Sequence, residues 1–322
     1  MDSIIPTLGT LRKRQIALNA TRDFFNQNNY IEVTTAALRK TAATDPYIDS
    51  FQLPDHENTL YLQSSPEYAL KILMANHRVP LYEITAAYRQ EISSPLHLNE
   101  FTLIEWYKPD ADYMYLITET QNLIRQIASA LNIKNFFPNT KKIPIDDFEI
   151  ITVQDAFIKY AGFNPLPLNH KQLIDAALKA GTKVAPEWSW DDIFTCLIVD
   201  KIEPALGYRK PAFLIDYPPS QASLAKIRKN TIPIAERFEL FVAGVELCNG
   251  YTELTDPKEQ KIRFENDNKI RKNLRLPILP HDEMLIEALP KLGKLAGNAL
   301  GFERLMLTLL DAEDIRQVTF TL

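Results

Sequence analysis

The sequence predicts an α+β fold, with helices segregated from an antiparallel sheet. Two observations lead there. Alternating segments on either side of Ile92–Glu100 read as a long hairpin, and periodic helical segments stand before and after blocks of strand. The chain has 322 residues, 46% hydrophobic and 24% charged, which suits one large domain carrying a sizeable insertion.

Leu8–Asn29 reads as a helix, because Ile16, Ala20 and Phe24 recur at four-residue spacing. Asn28 and Asn29 stop it, and Ile31–Val33 begins a short strand. Pro66 opens a helix over Glu67–Asn76, at a position where its missing N–H is harmless. From Tyr82 to Tyr88 the even positions suit a core face, whereas Glu83, Thr85, Ala87 and Arg89 make the other face mixed and mostly polar. The return strand Phe101–Lys108 puts Phe101, Leu103, Glu105 and Tyr107 on one face, and antiparallel pairing predicts Arg89 and Glu91 near Phe101 and Glu105. Residues 112–132 carry an apolar stripe at Leu116, Thr120, Leu123, Ile127 and Leu131. Helices are expected at 153–161, 170–180 and 190–203, so a mostly helical insertion spans about 112–210. The sheet restarts at Ala212–Tyr217 and continues through Arg237–Val242 and Val245–Cys248. A helix over Asp256–Asn273 and another after Gly301 close the chain.

Composition excludes several function classes. Net charge is −5, which argues against a large nucleic-acid footprint. The basic stretch Lys258–Arg275 is interleaved with Glu259, Glu265 and Asp267, as on a solvated helix face. No apolar run of about eighteen residues is present, and the N-terminus lacks a secretory pattern. Cys196 and Cys248 are expected to be reduced, which points to the cytoplasm. The sequence has no P-loop, GxGxxG, HExxH, CxxC or GxSxG. The five histidines, at 56, 77, 97, 170 and 281, have no ligand-like spacing.

Two constellations remain. Glu239, Glu246 and Glu253 lie seven apart, so on one flat strand they alternate faces. A hairpin at Gly244 and a bulge at Gly250 bring them to a common face, where Mg²⁺ or a substrate ammonium offsets their charge. Taken alone, they are equally consistent with solvated glutamates on edge strands. Near the C-terminus, Gly297-Asn298-Ala299-Leu300-Gly301-Phe302-Glu303-Arg304 leads into an apolar helix. Small residues there let a ligand approach the backbone, and Arg304 faces it or simply faces solvent.

These residues also carry a resemblance. Tyr88-Arg89-Gln90-Glu91, its loop and Phe101-Thr102-Leu103-Ile104-Glu105 resemble motif 2 of class II aminoacyl-tRNA synthetases, and Gly301-Phe302-Glu303-Arg304 resembles motif 3. The run Glu246–Asp256 is similar to the lysine-specific signature, and Ser65-Pro66-Glu67 to the amino-acid-binding turn of the lysyl enzymes. All four stand in the family's order along nearly the whole chain. Glu105-Trp106-Tyr107, Ser220–Ala225 and Ala299-Leu300-Gly301 look like truncated lysyl-tRNA synthetase paralogues, which attach β-lysine to a lysine side chain of elongation factor P.

The resemblance implies a class II catalytic core with an antiparallel sheet of six to seven strands, one catalytic domain over 1–322, and no anticodon-binding domain. It implies a homodimer, although Val33-Thr34-Thr35-Ala36 lacks the proline usual in motif 1. It also implies ATP-dependent adenylation of (R)-β-lysine or lysine, followed by transfer to elongation factor P rather than to tRNA. Arg89 and Arg304 become the catalytic cations. Arg89, Gln90, Glu91, Asn99, Phe101, Glu246, Leu247, Gly301 and Arg304 are expected at ATP. Ser65, Pro66, Glu67, Glu105, Tyr107, Asn249, Tyr251, Glu253 and Ala299 are expected at the amino acid, and Glu239 and Glu246 at Mg²⁺. Counting back from Phe101 puts Leu98 at the family's loop asparagine, so Asn99 serves only if the loop shifts by one residue. Alternatives are a lysine-activating enzyme acting on tRNA or a small-molecule amine, an ammonia-using asparagine synthetase, and a catalytically inactive binding module. Glu67 and Glu253 disfavour an asparagine synthetase, whose substrate needs a cationic pocket. The choice between α- and β-lysine stays open, since one methyl at Ala299 is a small energy term.

Overall fold

Local sequence signals set most helix ends in the computed structural model, which describes residues 4–55, 58–138, 141–229 and 231–321. His56 lies outside the described residues. Thr7 accepts from the Thr10 amide and starts α1 (Leu8–Gln27). Asn29, at φ 60°, turns the chain into β1 (Ile31–Glu32). β2 (Leu38–Arg39), β3 (Gln52–Asp55) and β4 (Asn58–Leu62) form a small separate sheet. α2 (Glu67–His77) leads into the long hairpin β5 (Leu81–Tyr88) and β6 (Glu100–Pro109). Asp112 caps α3 (Tyr113–Ala130). The stretch 112–210 then holds β7 (Asn135–Phe136), β8 (Ile143–Pro144), β9 (Glu149–Thr152), α4 (Val153–Tyr160), α5 (His170–Lys179) and α6 (Trp190–Leu197). The expected helix over 190–203 changes geometry after Leu197, to a π turn (Ile198–Ile202) and a 3₁₀ turn (Glu203–Ala205). β10 (Ala212–Tyr217), β11 (Ile227–Arg228), β12 (Ile234–Val242) and β13 (Val245–Thr252) follow. α7 (Pro257–Asn273), α8 (Glu283–Leu292), β14 (Leu295–Gly301) and α9 (Phe302–Leu310) complete the chain.

The main sheet has nine strands in the order β1-β5-β6-β14-β13-β12-β10-β9, with β11 beside β12. Expectation was a purely antiparallel sheet of six to seven strands, and this is corrected at both edges. β1 runs parallel to β5, and β9 parallel to β10. Parallel neighbours need crossovers, and the chain supplies them through β2–α2 and through α4–α6.

The turn between β12 and β13 is the expected hairpin, with Ala243 and Gly244 both at positive φ (49° and 78°). The bulge is not at Gly250. It falls where Leu240 pairs with Cys248 but Phe241 with Glu246, leaving Leu247 as the extra residue. Gly250 is a glycine for another reason: a Cβ there would stand 2.6 Å from the Phe238 ring.

One face of the sheet is apolar. Tyr82, Ile104, Trp106, Leu300, Cys248, Phe238, Leu240 and Phe213 pack with residues of α1 and α3, including Phe24, Phe25, Leu116, Leu123 and Ile127. Along β5, the face expected to be mostly polar is covered too. Glu83 is buried and accepts from the Thr35 amide (2.9 Å) and hydroxyl (2.9 Å), and Ala87 is fully buried.

Candidate active site

The opposite face of the same sheet is polar, and register alone assembles it. Reading across the strands, Glu83 pairs with Glu105, Glu105 with Ala299, Ala299 with Asn249, and Asn249 with Glu239. The neighbouring row runs Leu81, Tyr107, Gly297, Tyr251, Arg237. Opposed residues in neighbouring strands share a face, so these side chains form one floor.

At one end of the floor, α2 brings Glu67 against the end of β13. Ser65 accepts from the Glu67 amide (3.0 Å) and donates to Glu105 Oε2 (2.7 Å), while Tyr107 donates to Glu105 Oε1 (2.8 Å). Lys71, one helical turn after Glu67, donates to Glu67 Oε1 (2.6 Å) and lies 2.5 Å from Glu253 Oε2 as an ion pair. Among the described residues, Glu253 Oε1 has no hydrogen-bond partner, while Oε2 is held by the Lys71 ammonium. Burial, and then repulsion from Glu67, push the Glu105 carboxyl up to about 8. Burial also pushes Glu253 up to about 8, against the pull of Lys71. Gly297 makes this close approach possible, since a Cβ there would stand 2.2 Å from the Tyr107 ring and 2.6 Å from Glu253 Oε1.

At the other end, β12, β13 and α9 meet. Arg237 pairs with Glu239 Oε1 (2.5 Å) and donates to Asn249 Oδ1 (3.2 Å), and Tyr217 donates to Glu239 Oε2 (2.6 Å). Arg304 donates to the carbonyls of Leu96 and Glu246 (3.2 Å each) and lies 3.4 Å from Glu246 Oε2. Glu203 lies beside this group. Burial, with Glu239 and Glu246 nearby, holds its carboxyl at about 7. Burial and then repulsion from Arg304 depress His97.

The loop after β5 leans over this end. Arg89 sits 5.1 Å from the Phe101 ring centre and donates to the Ser64 carbonyl (3.3 Å). Arg89 thus lies beside Phe101 as expected, but the other expected neighbour is corrected: Glu105 pairs with Glu83, so Glu91 lies past the end of the ladder and away from Glu105. The Glu91 amide instead donates to Asn99 Oδ1 (3.1 Å). Leu98 is buried in the core, whereas Asn99 is exposed. Gln90 is exposed beside a cavity lined by Asp49, Ser50, Gln52 and Arg271. Pro66 caps α2 and is itself buried. Leu247 points into the core, so only its backbone reaches the site side.

The structure therefore separates the three spaced glutamates. Glu239 and Glu246 lie at the Arg304 end, and Glu253 joins Glu67 and Glu105. Among the described residues, no group of three or more His, Cys, Asp or Glu is arranged to hold a metal ion. The two adjacent carboxylates suit Mg²⁺ in the manner that needs only one or two protein oxygens, the remainder coming from phosphates and water.

Four residues of this floor were not singled out in the sequence. Lys71 had a signal, a lysine four after Glu67 on a helix whose flanking Leu70 and Met74 are buried. Arg237 and Tyr217 had only strand alternation. Glu203 had none, because it follows a π turn that breaks helical periodicity.

The family model for class II tRNA synthetases (D, K and N) matches residues 7–320. The chain belongs to the class II tRNA synthetase family. Within it, the chain is 37% identical over 320 residues to the elongation factor P–(R)-β-lysine ligase of Photorhabdus laumondii, covering 97% of this chain and 94% of the relative. The ligases of that name from Pectobacterium carotovorum and Sodalis glossinidius are 36% and 35% identical, with the same coverage. This class II chain has no helix long and apolar enough to cross a membrane among the described residues, and both cysteines are free.

Proposed function

We propose that the protein is an ATP-dependent ligase that adenylates (R)-β-lysine or lysine and transfers it to a lysine side chain of elongation factor P. The acceptor is supported by the names of the relatives. The observation that carries the activation step is the polar floor itself. It sets three carboxylates, Glu105 and Glu253 buried and Glu67 half-buried, at one end and Arg304, with Arg89 close by, at the other. That arrangement suits a substrate with two ammonium groups and a carboxylate, laid out beside a triphosphate.

Glu67 and Glu253 would receive the two ammonium groups, with Glu105 and Tyr107 closing the pocket beside Ser65, Pro66 and Tyr251. Ala299 and Asn249 would line the middle of the floor, under the carbons next to the carboxylate. That carboxylate attacks the α-phosphorus of ATP; a P–O bond to it forms as the bond to pyrophosphate breaks. Arg89 would meet the charge that builds on the α-phosphate. Phe101 and Arg304 would sandwich the adenine, while Glu91, Asn99, Gln90 and the Leu247 backbone line its edge. Gly301 lies beside Arg304, where a Cβ would make only ordinary contacts, 3.8 Å from the Leu247 carbonyl and 4.0 Å from the Arg304 side chain. Glu239 and Glu246 would hold Mg²⁺, which when bound neutralises phosphate charge. In the second step a neutral lysine amine of the acceptor attacks the acyl carbon of the mixed anhydride, and AMP leaves with the C–O bond electrons. No protein nucleophile is needed, so catalysis is positioning and charge stabilisation.

The free cysteines support a cytoplasmic setting. Exposed Leu8, Leu11, Ile31 and Leu38 support a homodimer. The test is ATP–pyrophosphate exchange with each lysine isomer, followed by label transfer to elongation factor P or to tRNA. Exchange with one isomer and label on elongation factor P are expected. Label on tRNA would overturn the acceptor, and exchange with neither isomer would overturn the enzyme.

A further inference from the structure

Lys71 is the most deeply buried cation of the site, at 1% exposure. A lysine is rarely buried unless it is paired. Lys71 stands on the apolar side of α2 between Leu70 and Met74, and its ion partners are both pocket carboxylates, Glu67 and Glu253. The third carboxylate, Glu105, is held by hydroxyls from Ser65 and Tyr107. With all three carboxylates ionised, the one built-in ammonium leaves two negative charges to be matched, by protons in the empty pocket or by cations of a ligand. Glu253 in particular, 2% exposed, has Lys71 on Oε2 and no hydrogen-bond partner on Oε1 among the described residues. Neutral buried groups normally find partners, and an ionised one needs a cation. The pocket is thus incomplete by two cations, the number a diamino acid brings.

We propose that Lys71 is a positioning and specificity residue: its ammonium fixes Glu67 and Glu253 in place and cancels one pocket charge, so that the site accepts a substrate with two ammonium groups. This rests on the ligase reading above. Without Lys71, Glu253 faces Glu67 and Glu105 with no internal cation, and the carboxylates relieve their repulsion by keeping protons or turning apart. Either response weakens the grip on the amino acid and leaves the ATP end untouched. The ionisable groups that share this pocket are Glu67 from α2, Glu105 and Tyr107 from β6, Tyr251 from β13 and Glu253 just after it.

The test uses the full chain in ATP–pyrophosphate exchange with lysine and β-lysine, comparing wild type with Lys71→Ala and Lys71→Gln. Both variants should raise KM for the diamino acid by about 100-fold while KM for ATP stays within about threefold. Propylammonium, which replaces the atoms removed in Lys71→Ala, should recover most of the loss, and 1-propanol should not. The pH at which KM levels off should also move to higher values in Lys71→Gln. An unchanged KM, equal rescue by 1-propanol, or failure of both variants to fold by circular dichroism would overturn the proposal, the last by assigning Lys71 to the fold. Wild type without diamine-dependent exchange would instead overturn the ligase reading itself.

Discussion

The two faces of the main sheet are built from alternate residues of the same strands and have opposite character. On β6, Trp106 faces a core of stacked rings, with Phe25 5.5 Å away, and Glu105 faces the polar floor. On β13, Cys248 and Gly250 serve packing, while Asn249 and Tyr251 look out onto the floor. The first face gains stability from area removed from water. The second concentrates buried carboxylates that cost stability until a cation arrives. The apolar face holds the strands in register, and that register aligns Glu105, Asn249 and Glu239, to which α2 adds Glu67 and Lys71 and α9 adds Arg304.

Substitutions on each face should therefore fail in different ways. The largest effect is expected from Glu253→Gln, which removes the buried pocket carboxylate paired with Lys71. Exchange supported by the diamino acid should drop by about 10⁴-fold in kcat/KM, with KM for ATP nearly unchanged. Unaltered activity would remove Glu253 from the pocket. Trp106→Ala is the counterpart on the other face. It deletes a fully buried side chain and the 2.9 Å bond to Glu119. Denaturant unfolding should show a loss of about 3–5 kcal/mol, with kinetic constants of the remaining folded protein little changed.

A pH series sharpens the contrast. Glu105 and Glu253 are pushed up to about 8, so below that pH the empty pocket keeps protons that an ammonium must displace. Affinity for the diamino acid should rise by up to about tenfold per unit as pH climbs toward 8, then level off. Stability has the opposite sign. These carboxyls bind protons more tightly folded than unfolded, so the ligand-free protein should lose stability from about pH 5 to 8, and saturating diamine should flatten that loss. The smallest effect is expected from Gly301→Ala, whose Cβ has 3.8 Å of clearance. The melting temperature should hold while KM for ATP rises about tenfold.

Much of this arrangement was legible in the sequence, because strand alternation and turn chemistry are local. The strand Ala212–Tyr217 and the hairpin at Gly244 follow from such signals. The edges of the sheet did not, since β1 and β9 pair across crossovers that no local pattern encodes. The site was readable mainly through motif order. Seven-residue spacing suggested one cluster of Glu239, Glu246 and Glu253, yet the bulge at Leu247 and the end of β13 divide them between two ends of the floor. Lys71 was hidden because a lysine on a helix ordinarily reads as solvated, and only the packing of α2 against α8, β5 and β6 makes it internal.

The most direct test compares ATP–pyrophosphate exchange driven by lysine or β-lysine with exchange driven by 6-aminohexanoate, which keeps the carboxylate and one ammonium. The polar floor predicts strong exchange with a diamino acid and a loss of at least about 10³-fold with the monoamine. Equal exchange with both would contradict a pocket left two cations short.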